Sequence, residues 1–422
     1  MKIEVPYGDG FQEAVIPDDI PTQVICPPSR QETLPVEQMI REAMDHPIGT
    51  PLLEEMVEAG QKVTIVVNDH TRPGPSRAMA EEILRRLKKA GVENGQIQFV
   101  IATGSHRAST EKELEVMLGK EICHSFKIHN HDCMSEEHVY LGETRMGMPV
   151  WIDREVVEGG FLITTGLIAP HATAGFSGGR KSIVPGVAGI KTLHIHHSLP
   201  IRPFEPAMGY FEENPFHQVA LEAARTVGVD FIVNVVQDSH KQNIACVAGG
   251  LEQAHNEGVS ICRNVSSVKV EELADVVIVS PGGSPRDHDL YQAQKALSVG
   301  EIFGKKGACT FILCAKGDGG IGEGLFVSWL KEADNPEQVI KRFEEEGFNV
   351  GNNKAFMYAR AMTKGKVMIV SDCLDPEELK EMMMYHAPSL QEAVDQVIRE
   401  KRPGRIAVLP AAVNLIPQVM QH

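Results

Sequence analysis

Three phrases, the first two punctuated by glycine, hold the residues best suited to chemistry in this chain: Ala102-Thr103-Gly104-Ser105-His106-Arg107, His171-Ala172-Thr173-Ala174-Gly175-Phe176-Ser177-Gly178-Gly179-Arg180-Lys181-Ser182, and Lys191-Thr192-Leu193-His194-Ile195-His196-His197-Ser198. They set the imidazoles of His106, His171 and His197 and the amine of Lys181 next to turns. Imidazole changes charge near neutral pH and binds borderline metals, so these groups can supply bases and a ligand to one site.

Two more phrases carry polar groups. In Asp69-His70-Thr71-Arg72-Pro73 the carboxylate can accept ribose hydroxyls, and the guanidinium can clamp a carboxylate or phosphate in a bidentate fork. The same residues fit a turn capped by Asp69. In Tyr291-Gln292-Ala293-Gln294-Lys295, Tyr291 and Lys295 share a helix face at four-residue spacing, which a solvated face also shows.

The run Gly175 to Ser182 invites comparison with a phosphate-binding loop, Gly-x-x-x-x-Gly-Lys-Ser/Thr. Arg180 stands where the last glycine belongs, which argues against an ATP-hydrolysing loop. The amides at Gly178 and Gly179 can still hold a single phosphate. A tight turn with two exposed cations is the alternative. On a helix, His194 and His197 share a face and His196 points elsewhere; each of them also fits a solvated or core-satisfied histidine. No His-Glu-x-x-His signature appears.

The elements that position these residues alternate. Val63 to Val67, Gln98 to Ala102, Phe161 to Thr165 and Phe231 to Val236 read as strands, and Arg77 to Ala90 as an amphipathic helix. That alternation predicts a mainly parallel sheet flanked by helices, with the motif residues following the carboxyl ends of strands. A second series runs through Ala274 to Ser280, Thr310 to Leu313, Val367 to Val370 and Ile406 to Leu409. The fold expected is two α/β domains, residues 1–268 and 269–422, with a site in the cleft between them.

Length and composition agree. At 422 residues, 42% hydrophobic and 23% charged, the chain has the balance of a soluble globular protein. A formal charge of −16 repels nucleic acid and anionic lipid. An anionic substrate must therefore meet a local basic cluster, with Arg72, Arg107, Arg180, Lys181 and Lys295 as candidates. The eight cysteines form no Cys-x-x-Cys pair and read as reduced core thiols. With no apolar signal core at the N-terminus and no run of membrane-spanning length, a cytoplasmic protein is expected.

Taken in order, the five phrases resemble the nickel-dependent lactate racemase family over nearly the whole chain. The resemblance implies nickel held by a pincer nucleotide, a nicotinate-derived pyridinium thioamide/thiocarboxylate mononucleotide covalently attached to Lys181 and made by separate biosynthesis enzymes. It implies His197 as the protein ligand, completing a planar donor set that suits nickel. It further implies C2 inversion of a 2-hydroxy acid by reversible hydride transfer, the cofactor carrying the difficult step. His106 and His171 match the family's pair of acid–base groups. Arg72 and Lys295 match a carboxylate clamp with Gln292 and Tyr291 beside it, and Asp69 is the candidate cofactor contact along with Gly178 and Gly179.

The chain departs from the lactate enzyme's pattern where that enzyme carries a phenylalanine pair and a tryptophan. Here stand Ala172 and Thr173, and Asn353. A buried amide facing a methyl group would be left unpaired at a cost of about 1–3 kcal/mol, so a larger or more hydroxylated acid than lactate is expected. The competing expectations are a phosphotransferase using Gly175 to Ser182, and a non-catalytic carrier of the nickel cofactor.

Overall fold

The computed structural model describes residues 1–27, 33–72, 74–238, 242–322 and 324–419; Pro73 of the first strand-end phrase lies outside them. The chain forms two compact units. One comprises Ser29–Pro203 and Tyr210–Val265, the other Met1–Pro28, Phe204–Gly209 and Ser266–His422. The fold is mixed α/β with mainly parallel sheets, as the alternating pattern predicts.

The first unit is built on strands β1 (Val63–Asn68), β2 (Ile97–Ala102), β3 (Lys127–Asn130), β4 (Phe161–Ile168), β5 (Phe231–Gln237) and β6 (Asn243–Gly249). Across the sheet their order is β6-β5-β4-β1-β2-β3. All neighbours are parallel except the edge pair β5 and β6. Val63, Ile65, Val66 and Val67 are fully buried, which is why β1 reads as an unbroken apolar run: a central parallel strand is covered on both faces. Helix α1 (Ser76–Lys89) covers one face with Met79, Ala80, Ile83 and Leu87, the stripe its helical period predicts.

This order places the carboxyl ends of β4, β1 and β2 side by side, neighbouring strands being about 4.8 Å apart. Asp69 follows β1, His106 follows β2 and His171 follows β4. Three of the phrases are thus brought to one sheet edge by topology.

The second unit has strands β7 (Val276–Val279), β8 (Cys309–Cys314), β9 (Gly365–Val370), β10 (Tyr385–Ala387) and β11 (Ile406–Leu409), with Thr22–Val24 at its edge. The sheet is parallel throughout. Residues 1–27, assigned by sequence to the first domain, fold here. Thr22, Gln23 and Val24 pair with Ile406, Ala407 and Val408, and Ile3, Val5 and Ile16 join the core of this sheet. Such non-local pairing leaves no mark in a linear pattern. All eight cysteines are free; Cys26 and Cys373 are exposed rather than core residues.

Candidate active site

Asp69 is the fixed point of the first cluster. It is 2% exposed, and its carboxylate accepts from the Thr71 hydroxyl at 2.8 Å and from His106 Nδ1 at 2.7 Å. Burial alone raises its pKa, but the bonds from His106 and Thr71 and the charge of Arg72 outweigh that and hold it below the ordinary range. An ionised carboxylate only accepts, so the His106 proton sits on Nδ1 and Nε2 is left to exchange a proton elsewhere. The His106 ring is 45% exposed, so Nε2 is within reach of a small molecule. Arg107, a candidate for the basic cluster, is paired with Glu113 instead.

His171 is held in the opposite way. Its Nδ1 accepts from the backbone amides of Thr173 and Ala174, both at 3.1 Å, and its Nε2 lies 3.2 Å from Lys181 Nζ. Lys181 sits in a short turn, Gly179–Ser182, whose preceding glycines are needed sterically. A Cβ on Gly178 would meet Asn234 Oδ1 and Ile168 at 2.7 Å, and one on Gly179 would meet the His255 ring at 2.6 Å. The Gly179 amide donates to Asn234 Oδ1 at 2.7 Å. Arg180 is buried rather than exposed: its guanidinium donates to the carbonyls of Ala174 and Gly178 and lies 5.2 Å from the Phe211 ring centre. With an amide and a cation so engaged, the turn does not have the open cradle of a phosphate loop.

The Lys181 amine is pushed well below its usual pKa by desolvation, then by the charges of Arg180 and Arg72. Arg72 therefore acts on both clusters, since it also lowers Asp69. A backbone relay joins them as well: Gly186 N donates to the Lys181 carbonyl at 3.0 Å, and Gly104 N, in the His106 loop, to the Gly186 carbonyl at 2.9 Å.

His197 caps the short helix α2 (Ile190–His196). Its Nδ1 faces the Leu193 carbonyl at 3.3 Å, so the proton belongs on Nδ1 and the lone pair on Nε2. Burial, followed by His196, Lys181 and Arg202, holds it well below the usual imidazole range, in the neutral form a metal requires. His196 is buried with its ring 3.7 Å from Phe216, and Nε2–H donates to the Phe216 carbonyl at 2.9 Å. The Phe216 ring is the common neighbour of this region, with His197 at 5.0 Å and Lys181 Nζ at 5.7 Å from its centre.

Asn214 and Phe216 are the residues that sequence reasoning missed. Asn214 starts helix α3 (Pro215–Val227), accepting from the Phe216 amide at 3.0 Å while donating to the Thr173 carbonyl at 2.8 Å. It thereby ties the Phe216 platform to the His171 turn. The Asn-Pro pair at a helix start was a readable signal for the cap, though not for its second bond.

The second unit carries its own group. On helix α4 (Leu290–Gly300), Asp289 caps the Gln292 amide at 2.7 Å and Lys295 donates to Gln292 Oε1 at 2.7 Å. Helix α5 (Asn352–Lys364) is tied to α4 by Lys354, which donates to Gln294 at 3.2 Å and lies 5.0 Å from the Tyr291 ring centre. Next to it, Asn353 Oδ1 is buried with no hydrogen-bond partner among the described residues.

Residues 7–209 match the family model described as the lactate racemase N-terminal domain, and residues 269–417 the lactate racemase C-terminal domain. The chain belongs to the lactate racemase family. That makes it an enzyme of the isomerase class. A lactate racemase of Thermoanaerobacterium thermosaccharolyticum is 32% identical, over 98% of this chain and 99% of that protein. The one of Lactiplantibacillus plantarum is 33% identical over 99% of each. The lactate racemase apoprotein structure from the former organism superposes with a TM-score of 0.91, covering 99% of this chain and all of that one. A Thermotoga maritima protein, 17% identical over 91% of this chain and 98% of that one, shares the fold with a TM-score of 0.68. No helix among the described residues is long and apolar enough to cross a membrane.

Proposed function

We propose that this lactate racemase relative inverts C2 of a 2-hydroxy acid larger or more hydroxylated than lactate, in the cytoplasm, using a nickel pincer nucleotide supplied by separate enzymes. The observation that carries the reading is that the two acid–base histidines are fixed at one sheet edge in opposite tautomers, with the half-buried Lys181 amine beside one of them. Inversion removes a hydroxyl proton on one side and returns one on the other, so it needs an acceptor and a donor together.

The donor chemistry fits the cofactor. Lys181 would carry the nucleotide and His197 would ligate nickel through Nε2, the nitrogen left basic by the bond at Nδ1. When bound, that group supplies a hydride acceptor. Gly178 and Gly179 shape the turn that presents Lys181. His106 accepts the hydroxyl proton at Nε2, and the Asp69 carboxylate at Nδ1 stabilises the imidazolium that results. His171 offers Nε2–H to the oxygen of the opposite configuration. Arg72 in one unit, and Lys295 with Tyr291 and Gln292 in the other, are the proposed substrate-binding groups. Asn353, with an unpaired buried oxygen, favours a substrate that brings a hydroxyl to it.

The test is stereochemical. Nickel-loaded protein is incubated with single enantiomers or epimers of lactate and of longer polyhydroxy acids, and C2 configuration is followed by chiral chromatography. Faster inversion of the hydroxylated acids is expected. Comparable rates on lactate and gluconate-like acids would overturn the substrate assignment, and no inversion of any acid by loaded protein would favour a carrier.

A further inference from the structure

Two backbone amides decide the state of a side chain that they do not touch. Thr173 N and Ala174 N both donate to His171 Nδ1, which must therefore carry a lone pair. A neutral imidazole has one proton, so it resides on Nε2, directed at Lys181 Nζ 3.2 Å away. An ammonium has three donors and no acceptor, and two N–H groups cannot bond to each other; the contact is a hydrogen bond only if Nζ is the free amine.

Resting on the assignment of Lys181 as the attachment point, we infer that His171 is a positioning residue for that attachment: the 171–174 turn locks its tautomer, and its Nε2–H holds Lys181 as a neutral amine, its lone pair engaged in that bond until the amine attacks. The charges acting on Nζ point the same way, for Arg180 and Arg72 are both cationic. Acylation delocalises the Nζ lone pair, so the nitrogen no longer accepts. The bond from Nε2–H to Nζ is then broken and Nε2–H turns to the substrate oxygen, which gives one histidine consecutive duties in loading and in turnover.

The experiment uses full-length protein made without the cofactor machinery. Trace acetic anhydride is added across a pH series and peptide mass spectrometry follows each lysine. Acetylation forms the Nζ–C bond, breaks the C–O bond to acetate and releases the amine proton with the acetate. Exposed Lys341 is the internal reference. Lys181 should be labelled with a midpoint below that of Lys341. In His171→Phe the Lys181 midpoint should rise by about 0.7 pH unit, a fivefold change in proton affinity and the worth of one hydrogen bond, while that of Lys341 is unchanged. A Lys181 midpoint equal to that of Lys341, or no change in His171→Phe, overturns the inference. Should that variant fail to fold, nitrogen-15 spectra of histidine-labelled wild type decide it: a proton on His171 Nδ1 at neutral pH refutes the tautomer lock. An adduct that never forms on Lys181 sinks the proposed function and leaves the amine result standing.

Discussion

Replacing Asp69 by Asn separates two roles for this residue, positioning His106 or contacting the cofactor. Asn is nearly isosteric and its amide oxygen can still accept from Nδ1–H, so the ring stays in place. What disappears is the negative charge at 2.7 Å from the imidazole. A hydrogen bond to a charged group contributes about 1.5–3 kcal/mol, and the 45% exposure of the His106 ring argues for the lower end, about 1.5–2 kcal/mol. At a factor of ten per roughly 1.4 kcal/mol, turnover should fall roughly tenfold to thirtyfold with little change in KM. Cofactor loading, read by intact mass and nickel content, should remain within about twofold of wild type, a difference of only about 0.4 kcal/mol. A loss of turnover that simply tracks a loss of loading would show that Asp69 serves the cofactor. Unchanged turnover at full loading would show that its charge does not support His106.

Other expectations concern the frame. Gly179→Ala forces a side chain into positive φ and against His255; urea unfolding should show a loss of about 2–5 kcal/mol, combining backbone strain with overpacking. Arg360 and Glu301 form a buried pair at 2.8 Å in the second unit, and Arg360→Met should cost about 3 kcal/mol or more by leaving Glu301 with Lys364 alone. In the first unit Asp153 accepts from His129 at 3.0 Å and His131 at 2.8 Å. Burial raises the Asp153 pKa, yet these bonds outweigh it and depress the value, while the Asp153 bond raises that of His129. The carboxylate's contribution is complete above about pH 4 and is lost as pH falls through its folded pKa; the contribution of His129 is complete below about pH 6.5 and is lost as pH rises through its raised value. The stability gap between wild type and Asp153→Asn should therefore peak between those limits, and a gap that does not vary with pH would contradict the assignment.

Much of the frame was legible in the sequence because central parallel strands are apolar throughout and helices carry a periodic stripe, as in Val63 to Val67 and α1. The position of His106 and His171 past strand ends was legible for the same reason. The fold of residues 1–27 was not, since Thr22–Val24 pairs with a strand almost four hundred residues away. Nor were the partners that set each group's chemistry. The sequence offers Asp69 for a ribose and Arg180 as an exposed cation, whereas spatial contacts give Asp69 to His106 and bury Arg180 against Phe211. The tautomers of His106, His171 and His197 depend on a carboxylate, two amides and a carbonyl, none of which has a residue-level signature.

Intact-mass and metal analysis of protein made with and without the cofactor-building enzymes, alongside Lys181→Ala, decides whether Lys181 carries the nickel nucleotide. One adduct and stoichiometric nickel are expected in wild type made with those enzymes, and neither in Lys181→Ala. An adduct and nickel persisting in Lys181→Ala, or C2 inversion undiminished in adduct-free, metal-stripped protein, would contradict it.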